Sequence, residues 1–419
     1  MKSHLKCIAA LLCLTLVGGA YGQTQPDKPD DKSADSLRLT GDWGGHRAAL
    51  ADKGISIRPT YHQHFQANLD GGLDDGHDFS GSLDLDIELD LGRMGIIDGG
   101  TFFIRGKSTW SDGINSDYVG SMFGVNGNAG GNHEIFVTEW WYRHRWDNRT
   151  ELFLGRIDTS SSNGPASFLD DNAYASSAND QFVNPALTGN MAVPHSEGIG
   201  AMLRFWPAEN FYISLTAVDA NSRPRRTGFD TAFHGRASFR AFLEGGVTTA
   251  LKSAKGPLPG HYRAGLWYDG GSKAILDQPG RSQSGDVGFY LGFDQMVWKE
   301  NNDPRDTQGL GIFGRYGYAP GDTNAVEHFW SAGLQYQGPF DGRDNDVLGF
   351  GVAQGIMSDE YRTWMSPLAD RETAYELYYA YHVTPWMTIS PNVQYISQPG
   401  GRESDDDALV VGVRAKISF

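Results

Sequence analysis

Asp84, Asp86 and Glu88 stand two residues apart, with Leu83, Leu85, Ile87 and Leu89 between and around them. Carboxylates in a row can serve acid–base catalysis, cation binding, or hydrogen bonding to a hydroxylated solute. Glycoside hydrolysis needs a carboxyl pair flanking a bound sugar at a set separation, and a row along one wall does not supply that. The sequence holds no G-x-S-x-G, no H-E-x-x-H and no phosphate-binding P-loop. His195 and Ser196 adjoin in sequence, which does not make a triad. The chain is read as a non-enzyme, and no motif calls for a cofactor or a metal.

Other polar residues fall on the same expected face of neighbouring segments. They are Arg58 and His62, then Arg105 and Lys107, then Glu139, Trp141 and Arg143. Arg156, Asp158, Arg236, Arg240, Glu244, Arg315, Glu376 and Gln394 follow. A ring of one sign would select ions. Both signs together with an aromatic suit a neutral polyol better: charged groups bond hydroxyls, and a ring face packs on the apolar face of a sugar. The plain alternative is that opposite charges on adjacent strands pair with one another and stiffen a wall. Glu139, Arg143, Arg156 and Arg315 are the leading candidates for solute contact.

The elements that position these residues repeat with period two. Leu83 to Leu91 puts leucine and isoleucine on one face and acids on the other, so the two faces meet different solvents. Strands are expected at 55–68, 81–91, 100–111, 133–146, 150–159, 196–206, 209–218 and 235–249. Eight more are expected at 259–269, 285–298, 307–318, 327–338, 345–357, 371–383, 385–397 and 407–419. That makes about 16, the even number required of single-chain bacterial barrels. Long connections (112–132, 160–195, 219–234, 270–284, 358–370) alternate with tight ones at Asp147-Asn148-Arg149, Pro207-Ala208 and Thr384. Outer-membrane barrels sort their loops in this way. The connections 92–99 and 299–306 break the rule by being longer.

An all-β transmembrane barrel follows, because backbone in hydrocarbon must find its partners within a closed sheet. At this strand number the lumen is too wide to fill with side chains. Trp140, Trp206, Trp298, Trp330 and Trp386 lie near strand ends and suit aromatic girdles. The last strand alternates from Leu409 to Phe419 and ends on an aromatic, as outer-membrane assembly signals do.

Before the barrel, Lys2 and Lys6, the apolar run Cys7 to Val17, and Gly18 to Gly22 have the layout of a signal peptide, 1–22. A lipoprotein cut at Cys13 is the weaker alternative, because Leu12 is not small. Cleavage after Gly22 removes both cysteines and moves the formal charge from -16 to -18 by loss of two lysines. An acidic chain argues against nucleic acid as a partner. Residues 23–38, polar and proline-bearing, read as a disordered leader. Residues 39–54 read as a helical arm of about three turns, capped by Asp42 and stopped by Gly54. The barrel occupies 55–419.

Gly41-Asp42-Trp43-Gly44-Gly45-x-Arg47-x-x-Leu50 followed by Gly54-Ile55 resembles the N-terminal signature of carbohydrate-selective outer-membrane porins, the OprB-like family. So do Glu372-Thr-Ala-Tyr-Glu376-Leu-Tyr-Tyr and Pro391-Asn-Val-Gln394-Tyr-Ile396-Ser-Gln-Pro399-Gly-Gly near the C-terminus. Phe153-Leu-Gly155-Arg156-Ile-Asp158 and Leu310-Gly-Ile-Phe313-Gly-Arg315 are weaker matches. The resemblance implies a 16-stranded barrel in the outer membrane of a Gram-negative cell. It implies a constriction of charged and aromatic residues, and passive diffusion of monosaccharides and small oligosaccharides. A general or organic-anion porin is the alternative, and an outer-membrane hydrolase a remote one.

Four placements stay open in the sequence. The longest loop, 160–195 with Asp170, Asp171, Asn172 and His195, either folds inward or caps the surface. Trp43 and Arg47 either plug the inner mouth or close the barrel end. The acidic clusters Asp74-Asp75 and Asp405-Asp406-Asp407 either share divalent cations with lipopolysaccharide or are solvated tips. A homo-oligomer is open: sixteen-stranded porins are often trimers, and the sequence marks no interface.

Overall fold

The computed structural model describes residues 38–159, 181–223, 229, 237–303, 306–365 and 369–419. The expected signal peptide, most of the leader, Asp170, Asp171, Asn172 and Arg236 lie outside these. The described residues form one closed antiparallel barrel of sixteen strands, each paired with its sequence neighbours, with the first strand also paired to the last.

The strands run β1 (Ile55–Gly72), β2 (Gly76–Asp90), β3 (Gly100–Trp110), β4 (His133–Arg145), β5 (Thr150–Asp158), β6 (Glu197–Ala208), β7 (Phe211–Asp219) and β8 (Phe239–Ser253). They continue as β9 (Gly256–Ala274), β10 (Ser282–Lys299), β11 (Gly309–Tyr318), β12 (Val326–Gln337), β13 (Val347–Met357), β14 (Arg371–Thr384), β15 (Met387–Ser397) and β16 (Asp406–Ser418). Each matches an expected strand within a few residues. β9 and β10 are longer than expected, so the connection read at 270–284 contracts to 275–281. The short turns, the start of β1 and the end of β16 lie at one rim, and most of the long loops lie at the other.

Alternation decides what each face touches. Leu203, Leu215, Leu243, Leu266, Leu291, Leu377, Val393 and Val413 are exposed although apolar. On a soluble protein such a band would be a liability; on a barrel it is the face toward hydrocarbon. The residues between them, among them Met202, Ser214, Thr216, Phe242, Glu244, Arg263, Glu376 and Gln394, are buried inside.

The N-terminal arm is shorter than the three turns expected. A 3-10 turn (Trp43–Gly45) leads into α1 (His46–Asp52), seven residues long. Asp42 accepts from the Ala48 amide at 2.8 Å, and Gly54, at φ +81°, ends the helix in the left-handed region that disfavours a Cβ. The arm lies against the seam where β1 meets β16. Leu39 N donates to Ser418 O at 2.9 Å, and Arg47 Nη1 to the backbone oxygen of Phe419 at 3.0 Å. Trp43 lies against the Arg47 guanidinium, 4.1 Å from its centre. This is the barrel-closing arrangement of the two read from the sequence.

Candidate functional site

The lumen wall from β1 to β4 is a ladder of opposite charges. In-register pairing sets Arg58 beside Asp86, Asp86 beside Arg105, and Arg105 beside Glu139. Residues opposite each other on antiparallel strands share a face, so all of them point inward. Arg58 donates to Glu88 at 2.9 Å. Arg105 forks onto Asp86 at 2.6 and 2.8 Å and reaches Glu139 at 3.3 Å. Lys107 lies 3.8 Å from Asp84. Arg58, Asp84, Asp86, Glu88 and Lys107 are paired yet keep about a fifth to a quarter of their surface open to the lumen, whereas Glu139 is buried.

An aromatic platform adjoins the ladder. Phe103 and Trp141 stack at 4.8 Å, and Phe153 meets Trp141 edge-on at 5.2 Å. Trp141 donates its Nε1–H to Glu139 at 3.2 Å, which fixes both the ring and the carboxylate. The Arg105 guanidinium lies 5.5 Å from the Phe103 ring centre. The three rings are packed and buried, and they back a wall that carries charge of both signs. Arg143 donates to Thr101 at 3.1 Å on the same face.

Two loops enter the lumen and narrow it. The first, 111–132, carries a single π-turn (Asn115–Val119) and packs Ile114, Val119 and Val125 against Ala374, Ile396, Ala408 and Val410 of β14 to β16. The second, of which 181–196 is described, contains the short helix α2 (Pro185–Thr188). Its Phe182, Ala186 and Leu187 pack among Phe313, Phe329, Ala353 and Tyr378 of the wall. Phe182 meets Tyr378 at 4.9 Å edge-on. Gly351 of β13 admits this approach: a Cβ there would stand 2.8 Å from Leu187 and 2.9 Å from Phe182. Of the two readings of loop 160–195, the described part follows the inward one.

The loops are held by wall side chains. Glu372 accepts from Ser121 Oγ at 2.5 Å and from the Met122 amide at 2.7 Å. Glu376 accepts from the amides of Val183 at 2.9 Å and Asn184 at 2.8 Å. Gln394 accepts from Asn184 Nδ2 at 2.9 Å and donates to Val125 O at 2.9 Å. Arg315 donates to Leu187 O at 2.9 Å. Glu376, Gln394 and Arg315 therefore sit in the lumen as expected but spend their hydrogen bonds on the loops.

The facing wall carries a second polar group. Tyr212 and Tyr290 both donate to Glu244, at 2.6 and 2.8 Å. Arg204 and Arg145 share Glu151, at 3.3 and 3.0 Å. Nearer the long-loop rim Arg240 pairs with Asp269 at 3.0 Å and also donates to the backbone oxygen of His195.

The expected inward residues divide as follows. Arg58, Asp84, Glu88, Arg105, Glu139, Trp141 and Arg143 gather on the β1–β4 wall. His62 lies on the same face beside Lys416, and Arg240 is at the long-loop rim. Arg156 and Asp158 are corrected: Arg156 pairs with Trp140 and Ile199, and Asp158 with Glu197, on the face opposite Glu139 and Trp141. There Arg156 is fully buried, donating to Glu197 at 2.7 Å and to Arg223 O at 3.4 Å. Sequence reading missed Phe103 and Asn184, and gave Phe153 and Glu372 no lumen role although both stand in family-like segments. Asn184-Pro185 carried a usable signal, since a capping residue before proline starts helices, and Asn184 indeed accepts from the Ala186 amide.

Comparison with known proteins agrees with the barrel fold. The model of the carbohydrate-selective porin family, OprB, matches residues 76–419. Porin B of Pseudomonas aeruginosa is 27% identical, with 99% of this chain and 97% of that protein covered. The putative porin QuiX of Acinetobacter baylyi is 25% identical, covering 92% and 94%. The high-pH structure of Pseudomonas putida OprB superposes with a TM-score of 0.76 at 24% identity, over 92% of this chain and 99% of that one.

Proposed function

The chain belongs to the carbohydrate-selective porin family, OprB, and from that premise we propose how its lumen selects sugars. It is an outer-membrane porin for passive, carbohydrate-selective diffusion of monosaccharides and small oligosaccharides, a channel by family and fold rather than an enzyme. The finer reading is that sugars pass along the charge ladder of β1 to β3, which the buried Phe103–Trp141 pair backs. Their hydroxyls exchange hydrogen bonds with the open edges of Arg58, Asp84, Asp86 and Glu88, while buried Glu139 holds Arg105 in place. The single observation that carries this is the in-register run Arg58, Asp86, Arg105, paired yet partly open to the lumen.

Pairing of charges inside the wall supports neutrality of the preferred solute. Each guanidinium on β1 to β3 has a carboxylate within 2.9 Å, so an anion would have to compete with a fixed partner. A hydroxyl needs only to add a bond at an open edge. The same balance counts against the organic-anion alternative. Arg143 and Asp84 extend the polar face to either side of the platform, and His62 and Arg240 continue it toward β16 and the long-loop rim. Outer-membrane lipid and lipopolysaccharide are the surrounding partners, met by the exposed apolar band. Assembly into a homo-oligomer belongs to the same proposal.

Liposome swelling with the folded protein tests it. A size series of neutral sugars is run beside organic acids of matched size. Faster, saturable sugar entry, reduced by a competing sugar, is expected. Entry governed by size alone would reduce the lumen to a general pore.

A further inference from the structure

Two loops narrow the lumen, and one side chain touches both. Gln394 stands on the inward face of β15 and has no exposed surface. Its Oε1 accepts from Asn184 Nδ2 of the second loop at 2.9 Å, and its Nε2 donates to Val125 O of the first at 2.9 Å. A carboxamide can do this because it carries an acceptor and a donor on one planar group. Neither a carboxylate nor an apolar residue of the same length could serve both loops.

The other anchors each serve one of these two segments. Glu376 and Arg315 hold the second loop, through the Val183 and Asn184 amides and through Leu187 O. Ser121 and Met122 of the first loop are held by Glu372. Gln66 also donates to Val125 O, at 3.0 Å, on the first loop. Asn184 is engaged at both ends of its side chain, capping α2 with Oδ1 and donating to Gln394 with Nδ2. Displacing the first loop therefore strains a bond that also fixes the start of α2.

We propose that Gln394 is a positioning residue that couples the two inserted loops, so that the narrowest width and the largest solute admitted depend on both loops together. The inference rests on reading the lumen as the solute passage. It does not depend on the solute being a sugar. Loss of Gln394 removes the wall side chain that fixes both loops and leaves them joined by the backbone bond from Gly127 N to Val183 O at 3.1 Å. Two buried hydrogen bonds are removed, and the share of time spent in wider states should rise roughly tenfold.

The test is single-channel conductance of the full chain in planar bilayers. Gln394→Ala should add a wider, noisier conductance level and raise the size limit in swelling assays. Gln394→Glu keeps the acceptor for Asn184 but sets an oxygen against Val125 O, so it should release the first loop alone and resemble Gln66→Leu. A mere structural role is separated by a coupling measurement. Ser121→Ala loosens the first loop and Arg315→Ala the second. Their effects on conductance should be non-additive with Gln394 present and clearly closer to additive in the Gln394→Ala background, where the Gly127–Val183 bond still joins the loops. Unchanged conductance in both Gln394 variants would overturn the proposal, as would non-additivity undiminished by Gln394→Ala. If Gln394→Ala does not fold, Gln394→Glu against Gln66→Leu decides. Absence of sugar preference in the parent protein, with the coupling intact, would refute the sugar reading and leave this one standing.

Discussion

Arg47 Nη1 donates to the backbone oxygen of Phe419 at 3.0 Å, joining residues 372 positions apart. The arm thereby crosses the one place where the barrel must close between the chain's first and last strands. Arg47 is almost wholly buried, and its other nitrogen, Nη2, donates to Thr40 at 3.1 Å. A hydrogen bond to a charged group is worth about 1.5–3 kcal/mol. Arg47→Ala should therefore lower the thermal unfolding midpoint of the folded barrel, and Arg47→Lys should recover only part of it. Heat-modifiable migration on gels measures this; equal midpoints in all three proteins would count against a seam staple.

Glu139 and Arg156 lie on opposite faces of the sheet, and both are buried. Glu139 is fixed between Trp141 and Arg105 on the lumen side. Arg156 pairs across the sheet with Trp140 on the other. Glu139→Ala should reduce the preference for sugars over matched anions by roughly two- to tenfold, the worth of one hydrogen bond. Arg156→Ala should leave that preference unchanged while destabilising the β5–β6 region. Swelling rates on the two variants check this, and the reverse order would move the selective wall.

The misreading of Arg156 has a physical source. Period-two patterning assigns faces by polarity, and β5 inverts it. Glu151, Phe153 and Ile157 face inward while Arg156 faces out. Ile157 is buried in the cluster that includes the second loop, so its lumen face is dry. Where the lumen stays wet, as from Arg58 to Lys107, polarity and face agree and the sequence was legible. The strands were legible for the same reason: lipid demands an apolar face throughout. Anchoring was not, because whether Glu376 meets a sugar or the amides of Val183 and Asn184 depends on a loop about 190 residues away.

Asp346, in the turn between β12 and β13, predicts a response to acid. Burial raises its pKa, but the Arg343 fork at 2.7 and 2.6 Å, the Tyr379 hydroxyl and the His382 amide prevail and hold the carboxyl below its ordinary range. A depressed folded-state pKa contributes stability that is present above the unfolded value, about 3.9, and lost as pH falls through the folded one. Amide exchange around 338–346 should thus accelerate only below about pH 4. Asp346→Asn should exchange fast at neutral pH and show no such step. A wild-type step near neutrality would assign the turn's stability to another group.

Gly351 offers a test of the inserted loop that leaves every polar anchor in place. Its position on β13 faces the lumen, paired with Glu376 on one side and Gly333 on the other. An added Cβ would lie 2.8 Å from Leu187 Cδ2 and 2.9 Å from Phe182 Cζ, closer than side-chain atoms tolerate. Strand propensity alone would favour a larger residue, since glycine weakens a strand by about 0.5–1 kcal/mol. Gly351→Val should therefore preserve or slightly raise barrel stability while pushing α2 off the wall. Overpacking of this kind costs roughly 1–3 kcal/mol, borne by the loop because the sheet is held on both sides. The expected result is a larger conductance and a higher solute-size limit with an unfolding midpoint no lower than the parent's. A lower midpoint with unchanged conductance would mean that the loop yields nothing and the strand absorbs the strain.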